Sequence, residues 1–307
     1  MHEFETFARG LGLRPRTVMA DGKWRRCPTD EHPRKRNGAY KLLPGGTLGF
    51  VQDWASMDKP ATWKAGKHVD EFDINLFRQA QKKADDDQHE AIAAAQAFYD
   101  RAEPLRDGHP YLEAHGLDVS GCEGLRVDGT GWLVVPAYRG REVVSVQRIA
   151  PDGTKRFWRG APVAGTTYTI RRRTPAMYVI CEGLATGLAC WMAEPTAQVI
   201  VAWNAGNLAQ VMAPRGLVVV AADNDKATHD RTGTNPGLEA GKRAAERIGC
   251  GVACPVAIKG TDWCDYLSEH MAQRLTLKGK WTSDDYVRRV VLAEIRTELR
   301  RHARLVS

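Results

Sequence analysis

The chain has 307 residues, 26% of them charged, with 44 Lys and Arg against 37 Asp and Glu for a formal net charge of +7 and a pI near 9.1. That length holds two or three modest domains, and the positive balance favours a polyanionic partner. There is no apolar run long enough to span a bilayer and no secretory signal, and the 7 cysteines follow no disulfide framework, so a cytoplasmic protein without a membrane partner is expected.

In chain order, the first feature is the stretch from Trp24 to Pro33, followed by Asn37-Gly38-Ala39-Tyr40, which offers Cys27 and His32 as one close ligand pair. Structural zinc takes four ligands, usually in two close pairs. Where the second pair would follow, the sequence has Gly49-Phe50-Val51-Gln52-Asp53-Trp54. A β module without zinc is therefore expected over 1–70, its Arg25, Arg26, Arg34, Lys35, Arg36, Trp24 and Trp54 either contacting DNA or holding together a small domain. From Phe72 to Leu105 an Ala-, Gln- and Asp-rich stretch reads as a long helix, or as two with a break near Asp85-Asp86-Asp87, ended by Pro104 and the turn from Gly108 to Pro110. Further on, Lys155, Arg156 and Arg159 interleave with Phe157 and Trp158, giving charge for phosphates and flat faces for bases, or else an ordinary β-hairpin with core aromatics.

The second half carries three acidic clusters: Cys181-Glu182-Gly183, Asp223-Asn224-Asp225 and Asp262-Trp263-Cys264-Asp265. Each follows an apolar run that reads as a buried strand, at 177–181, 217–222 and 252–258, with a further run at 199–203. Between them, residues 184–193 read as a helix stopped at Pro195, and Asn235-Pro236-Gly237 opens another that closes at Gly249. Alternating strand and helix predicts an α/β unit with a largely parallel sheet, whose ligands gather at the carboxyl ends of the strands. Alternate residues of extended backbone share a face, so Asp223 and Asp225 are expected to reach one ion. From Ser283, a cap-like Ser-Asp-Asp precedes Val287, Val291, Ile295 and Leu299 at helical spacing, either docked on the core or presented to a partner. No G-x-x-x-x-G-K-[ST] phosphate loop occurs, so no fused helicase motor is expected.

The order Glu-Gly, then Asp-x-Asp, then a further acidic cluster resembles the Toprim domain of primases, topoisomerases, nucleases and recombination mediators. The strings CEGLATGLA (181–189), AWNAGNLAQV (202–211), VVVAADND (218–225), NPGLEAGKRAA (235–245) and GTDWCDYL (260–267) are similar to the Toprim region of primases from phages, plasmids and integrative elements. HPYLEAHGL (109–117), WLVVPAY (132–138) and VVSVQRIAPDGTKRFWRG (143–160) resemble the basic half of the primase core, and the N-terminal stretch resembles half of a primase zinc ribbon.

The resemblance implies an α/β, Rossmann-like Toprim domain at 175–270, a basic α+β subdomain at 108–174, a helical linker at 71–107, a zinc-ribbon-like module lacking zinc ligands at 1–70 and a basic amphipathic helix at 280–307. It implies a DNA primase that makes short primers on single-stranded DNA from nucleoside triphosphates, with Mg²⁺ or Mn²⁺ and a separate replicative helicase. Asp223 and Asp225 would be the first metal ligands, with Glu182 a ligand or the acceptor of the hydroxyl proton. Asp262 and Asp265 are candidates for a second metal or, alternatively, a helix cap. Lys155 and Arg156 would hold primer or triphosphate, Arg148 and Arg159 the template, and Trp158 would stack on a base. The rival expectations are a Toprim nuclease and a non-catalytic factor that binds single strands or a helicase.

Overall fold

The computed structural model describes residues 2–57, 59–66, 71–256, 258–277 and 283–307. It divides into two compact units, Met1–Asp87 and Gln88–Ser307.

In the first unit, helix α1 (His2–Gly10) is followed by β1 (Arg25–Cys27), β2 (Gly38–Leu42), β3 (Leu48–Asp53) and β4 (Ala61–Lys64), which pair antiparallel in that order. Phe4 and Ala8, four residues apart on one helix face, pack with Leu13, Cys27, Tyr40, Leu42 and Val51. Cys27 thus serves as a small apolar residue, and burial pushes its thiol pKa up. Helix α2 (Glu71–Arg101) begins in this unit, where buried Asp73 accepts the N–H groups of Gly45 at 2.7 Å and Thr47 at 3.0 Å, and Phe77 stacks on Phe50 at 5.1 Å. The helix runs unbroken through Asp85, Asp86 and Asp87. All three aspartates are exposed, so their charges stay hydrated and the run needs no break. The helix ends at Arg101 rather than Leu105 because the next residues are taken up in strand pairing.

The second unit opens with an antiparallel sheet of β5 (Glu103–Pro104), β6 (Arg126–Val127), β7 (Leu133–Arg139), β8 (Glu142–Ile149) and β9 (Lys155–Phe157), with helix α3 (Pro110–Ala114) between β5 and β6. There follow β10 (Tyr168–Ile170), β11 (Met177–Cys181), α4 (Leu184–Ala193), β12 (Ala197–Val201), α5 (Ala205–Leu208), β13 (Gly216–Ala221), α6 (Lys226–Thr232), α7 (Pro236–Ile248), β14 (Gly251–Ala253), α8 (Trp263–Leu277), α9 (Asp284–His302) and β15 (Arg304–Val306). The strand order is β10-β12-β11-β13-β14. β11 pairs parallel with β12 and β13, and β13 pairs parallel with β14, while β10 and β15 join antiparallel. The sheet is therefore largely parallel, as the alternating pattern requires. The expected strand at 252–258 is shorter, since Cys254 and Pro255 leave the ladder, and residue 257 lies outside the described residues.

Both faces of the parallel sheet are covered, so its strands alternate between two cores. Val179, Cys181, Val219 and Ala221 face α4, α8 and α9, whereas Ile180, Val218 and Val220 face α7. Small residues let the helices come close. A Cβ on Gly187 of α4 would lie 2.9 Å from Val201 Cγ2 and 3.2 Å from Cys181 Sγ.

Helix α9 docks through Val287, Val291, Ile295 and Leu299. The expected helix at 280–307 is replaced at its end by β15, which pairs with β13, and residues 280–282 lie outside the described residues. Arg296 donates to the Ala193 carbonyl at the end of α4, at 2.7 Å, which suits a cation at a helix C-terminus. Arg300 bonds the Glu194 carboxylate at 2.5 Å, and that side chain is 0% exposed. Burial alone would raise the Glu194 pKa, but its bonds from Arg300 and Thr196 outweigh this and hold it below the ordinary glutamate value. Glu194 thus stabilises the fold above the ordinary glutamate pKa, and that contribution is lost as pH falls through its lower folded value. Arg300→Ala should destabilise the chain by about 2 kcal/mol at neutral pH, and urea unfolding across the acid range should show a shallower loss of stability than in wild type.

Candidate active site

The site is built from the register of the parallel strands. Cys181 is level with Val201 on one side and Ala221 on the other, and Ala221 with Ala253. The chain therefore leaves β11 and β13 at the same edge, with Glu182 and Asp223 beyond their ends. Because β12 lies on one side of β11 and β13 on the other, this edge is a topological switch point, the crevice where such sheets take ligands.

Glu182 is half-buried beyond β11. Its carbonyl accepts the Trp203 N–H at 2.8 Å, and its carboxylate accepts the Ala205 N–H. Trp203 makes this possible with φ at 73°, a left-handed backbone that few non-glycine residues adopt outside functional sites. Its ring packs edge-on against Phe157 of β9 at 5.6 Å.

Asp223 and Asp225 lie past the end of β13, so the alternation rule of extended strand does not place them. Asp225, with φ −72° and ψ 52°, is the N-cap residue of α6. Its carboxylate accepts the Gly237 N–H at 2.8 Å, and its own N–H donates to Asn235 at 3.0 Å. Asn235 caps α7 and donates to Asn224 at 2.8 Å, and Asn224 donates to the Pro255 carbonyl at 2.7 Å. Only glycine fits at 237, because a Cβ there would stand 2.8 Å from the Asp223 carbonyl and 3.1 Å from Asp225 Oδ2.

Asp262 and Asp265 form a reciprocal cap at the start of α8. Asp265 N–H donates to Asp262 Oδ1 at 2.8 Å, and Asp265 Oδ2 accepts the N–H groups of Thr261 at 2.7 Å and Asp262 at 3.4 Å. Asp265 is thus engaged in the cap, while the charge of Asp262 acts on Asp223. Thr186, buried in the first turn of α4, lies 3.3 Å from Asp223 Oδ1. Sequence reasoning missed Thr186 and Gly237, although both lie within the strings CEGLATGLA and NPGLEAGKRAA. The only signal available there is adjacency to the acidic residues.

Like charges close together show in the acidities. The Asp223 pKa is pushed up to about 7 by burial and by the charges of Asp262 and Glu182, against the bond from Thr186. Asp262 is raised mainly by burial, and Glu182 by burial and then by Asp225. Among the described residues no three His, Cys, Asp or Glu side chains stand together as a ready ligand set. Mg²⁺ needs only one or two carboxylates and completes its shell with water and phosphate oxygen. Hard carboxylate donors whose pKa values are raised by burial and by neighbouring charge, as at Asp223, Asp262 and Glu182, fit such an ion.

The basic residues divide into two groups. Lys155 is exposed, its Nζ 5.4 Å from the Tyr111 ring. Tyr111 feels the charges of Asp262 and Asp265, and Lys155 acts on Cys264 between them. This end of β9 therefore adjoins the acidic edge. Arg156 and Arg159 are exposed as well, with Arg156 5.8 Å above Trp132. Arg148, by contrast, bonds Asp128 Oδ2 from Nε at 2.9 Å and Nη2 at 2.6 Å, and lies over the rings of Trp132 and Phe98 at 4.7 and 5.3 Å. Trp158 packs on Phe98 at 4.7 Å beside Tyr99, Val134 and Val146. Both are held by intramolecular contacts in this structure.

Residues 177–273 match the Toprim domain family. Over 268 residues the chain is 27% identical to a DNA primase TraC of Escherichia coli, covering 79% of this chain and 25% of that protein. A second DNA primase TraC of Escherichia coli is 29% identical over 265 residues, covering 78% of this chain and 18% of that protein. The chain thus spans a quarter or less of the length of these relatives. Among solved structures, the primase fragment of the bacteriophage T7 primase-helicase protein aligns with 14% identity and a TM-score of 0.37, covering 57% of this chain and 78% of that one.

An acid with a raised folded pKa binds its proton in the folded state after the unfolded chain has lost it. Stability without metal should therefore fall as pH rises from the ordinary aspartate value of 3.8 to about 7 and level off above. Asp223→Asn should remove much of that fall and be at least as stable as wild type at pH 8. Urea denaturation in chelator at acid and alkaline pH measures both.

Proposed function

We propose that the chain is the catalytic core of a DNA primase of the kind found in mobile elements, joining nucleoside triphosphates on a single-stranded DNA template. The observation that carries this reading is the placing of Glu182 and Asp223 just past the level ends of β11 and β13, at the switch-point edge of the parallel sheet, with the charge of Asp262 acting on Asp223. The similarity to DNA primases over 268 residues supports the same reading, since it takes in the basic sheet as well as the Toprim domain.

In this reading 175–270 is the Toprim catalytic domain, 108–174 the basic subdomain, 71–107 a helical linker, 1–70 a zinc-ribbon-like module without zinc, and 280–307 the C-terminal basic segment. Asp223 and Asp225 hold Mg²⁺, with Mn²⁺ able to replace it, and Asp262 and Asp265 are the candidates for a second ion. The ion, when bound, supplies positive charge to the phosphates of the incoming nucleotide. Glu182 is a third ligand or takes the proton from the attacking 3′-hydroxyl. Lys155 and Arg156 offset phosphate charge on the primer or triphosphate, and Arg159 meets the template. The partners are single-stranded template, nucleoside triphosphates and a separate helicase, and the setting is the cytoplasm.

The purified chain, given a mixed-sequence single strand, labelled nucleotides and Mg²⁺ or Mn²⁺, should make short primers. Asp223→Ala or Asp225→Ala should abolish synthesis while leaving DNA binding and folding in place. Cleavage of the strand without synthesis would favour a nuclease instead. Lys155→Ala or Arg156→Ala should flatten the log–log salt dependence of single-strand affinity by roughly 0.7, as the loss of one phosphate contact does. Because the Trp158 ring is packed on Phe98, Trp158→Ala should instead lower stability, by about 2 kcal/mol for a half-buried aromatic. Fluorescence titration at several salt concentrations, together with urea unfolding, separates the two effects.

A further inference from the structure

Helix α4 starts at the acidic edge, and its 10 residues carry its last turn about 15 Å from there. Beside that last turn lies a cavity of about 310 Å³ whose apolar wall is Met192, Pro195 and Leu292. It is small as ligand cavities go, at about 300–1,000 Å³, and so suits a short segment of chain. Its charge comes from Arg172, in the segment between β10 and β11, and from Arg288 of α9. The Arg172 guanidinium lies 3.9 Å over the Trp191 ring, and its Nε is covered and has no hydrogen-bond partner. Arg288 gives Nη2 to the Gly116 carbonyl at 2.5 Å, which uses part of a group with five N–H donors. The nearby acid does not offset them, because Asp118 Oδ1 accepts the Ser120 N–H at 2.8 Å and Oδ2 the Ser120 hydroxyl at 3.0 Å. Among the described residues neither guanidinium is paired with a carboxylate. A half-buried cation without a counter-ion is costly, and an anion in the cavity would offset two of them.

We propose that this cavity is the docking site for an acidic segment of a partner protein, with a carboxylate held by Arg172 and Arg288 and a neighbouring aliphatic side chain against Met192 and Leu292. Charge complementarity selects the anion, and arginine forks suit a carboxylate. The apolar wall selects a peptide over a nucleic-acid strand. Trp191, 5% exposed and with Arg172 over its ring, offers no platform on which a base could stack. The docking site does not depend on polymerase chemistry at the acidic edge.

The test begins with phage carrying random heptapeptides, panned against the purified full chain. Peptides with an acidic residue next to an aliphatic one should be enriched. A labelled synthetic peptide of the enriched sequence, followed by fluorescence anisotropy, should bind about tenfold or more weakly to Arg172→Gln and to Arg288→Gln, the loss expected for a charge-assisted bond. Glutamine keeps much of the side-chain stem and removes the charge, and circular dichroism checks folding. Arg289→Gln, at an exposed position of the same helix, should bind as wild type does. Should either cavity variant not fold, the other carries the same expectation, and replacing the peptide's acid by its amide should cost the wild-type chain a similar factor. Absence of acidic enrichment, or wild-type affinity in the folded cavity variants, would overturn the site. Labelled mixed-sequence single-stranded DNA should bind wild type and both cavity variants alike. A tenfold loss of DNA affinity with peptide affinity unchanged would assign the two arginines to nucleic acid and overturn the proposal.

Discussion

Repulsion among carboxylates at one sheet edge is the constraint on which the rest of this structure depends. Partly buried like charges are stable together only where the backbone holds them or where a cation is supplied, and otherwise one group keeps its proton. Burial first, and then the charges of Asp262 and Glu182, push the Asp223 carboxyl up to about 7. The fold tolerates the crowding because the acids follow the ends of parallel strands in fixed register, Cys181 against Ala221 and Ala221 against Ala253. Loops tied to such a scaffold cannot relax apart without breaking strand pairing.

The tie is strengthened by helices that sit unusually near the sheet. Gly187 and Gly241 leave no side chain between helix and strand, and Gly237 brings the start of α7 against the Asp223–Asp225 loop. The Asn224 and Asn235 amides then link that loop to α7 and to the segment after β14. On the opposite side of the sheet, α9 holds the far end of α4 through Arg296 and Arg300. Helix α4, whose first turn carries Thr186 within 3.3 Å of Asp223 Oδ1, is thereby held at its far end as well.

The antiparallel sheet brings the compensating charge. Lys155 stands at the end of β9 next to the acidic edge, while Phe157 two residues on reaches Trp203, the strained residue whose N–H holds the Glu182 carbonyl. Strand alternation puts Lys155 and Phe157 on one face of β9 and Arg156 on the other. The Arg148 guanidinium beside Asp128 also serves order. Asp128 is held below the usual aspartate value because bonds from Thr130, Trp132 and Arg148 together outweigh its burial, which keeps the turn before β7 in place.

The sequence by itself determined the features that depend on near neighbours in the chain. The β-branched runs of β11 and β13, the Asn-Pro-Gly opening of α7 and the stripe of Val287, Val291, Ile295 and Leu299 all carry their periodicity and caps within about a dozen residues, and the order of Glu182, Asp223, Asp225 and Asp262 that resembles a Toprim domain is likewise read directly along the chain. Only the tertiary structure decided how each polar group is used. The engagement of Arg148 with Asp128, of Asp225 with Gly237 and of Thr186 with Asp223 joins residues from different elements, and hydrogen-bonding capacity says nothing about which distant partner will satisfy it. The loop geometry of Asp223 and Asp225 was hidden for a related reason. Alternation in an extended strand is a local rule, and here the ladder ends at Ala221, two residues before the first carboxylate, where helix caps and the packing of α7 set the backbone instead.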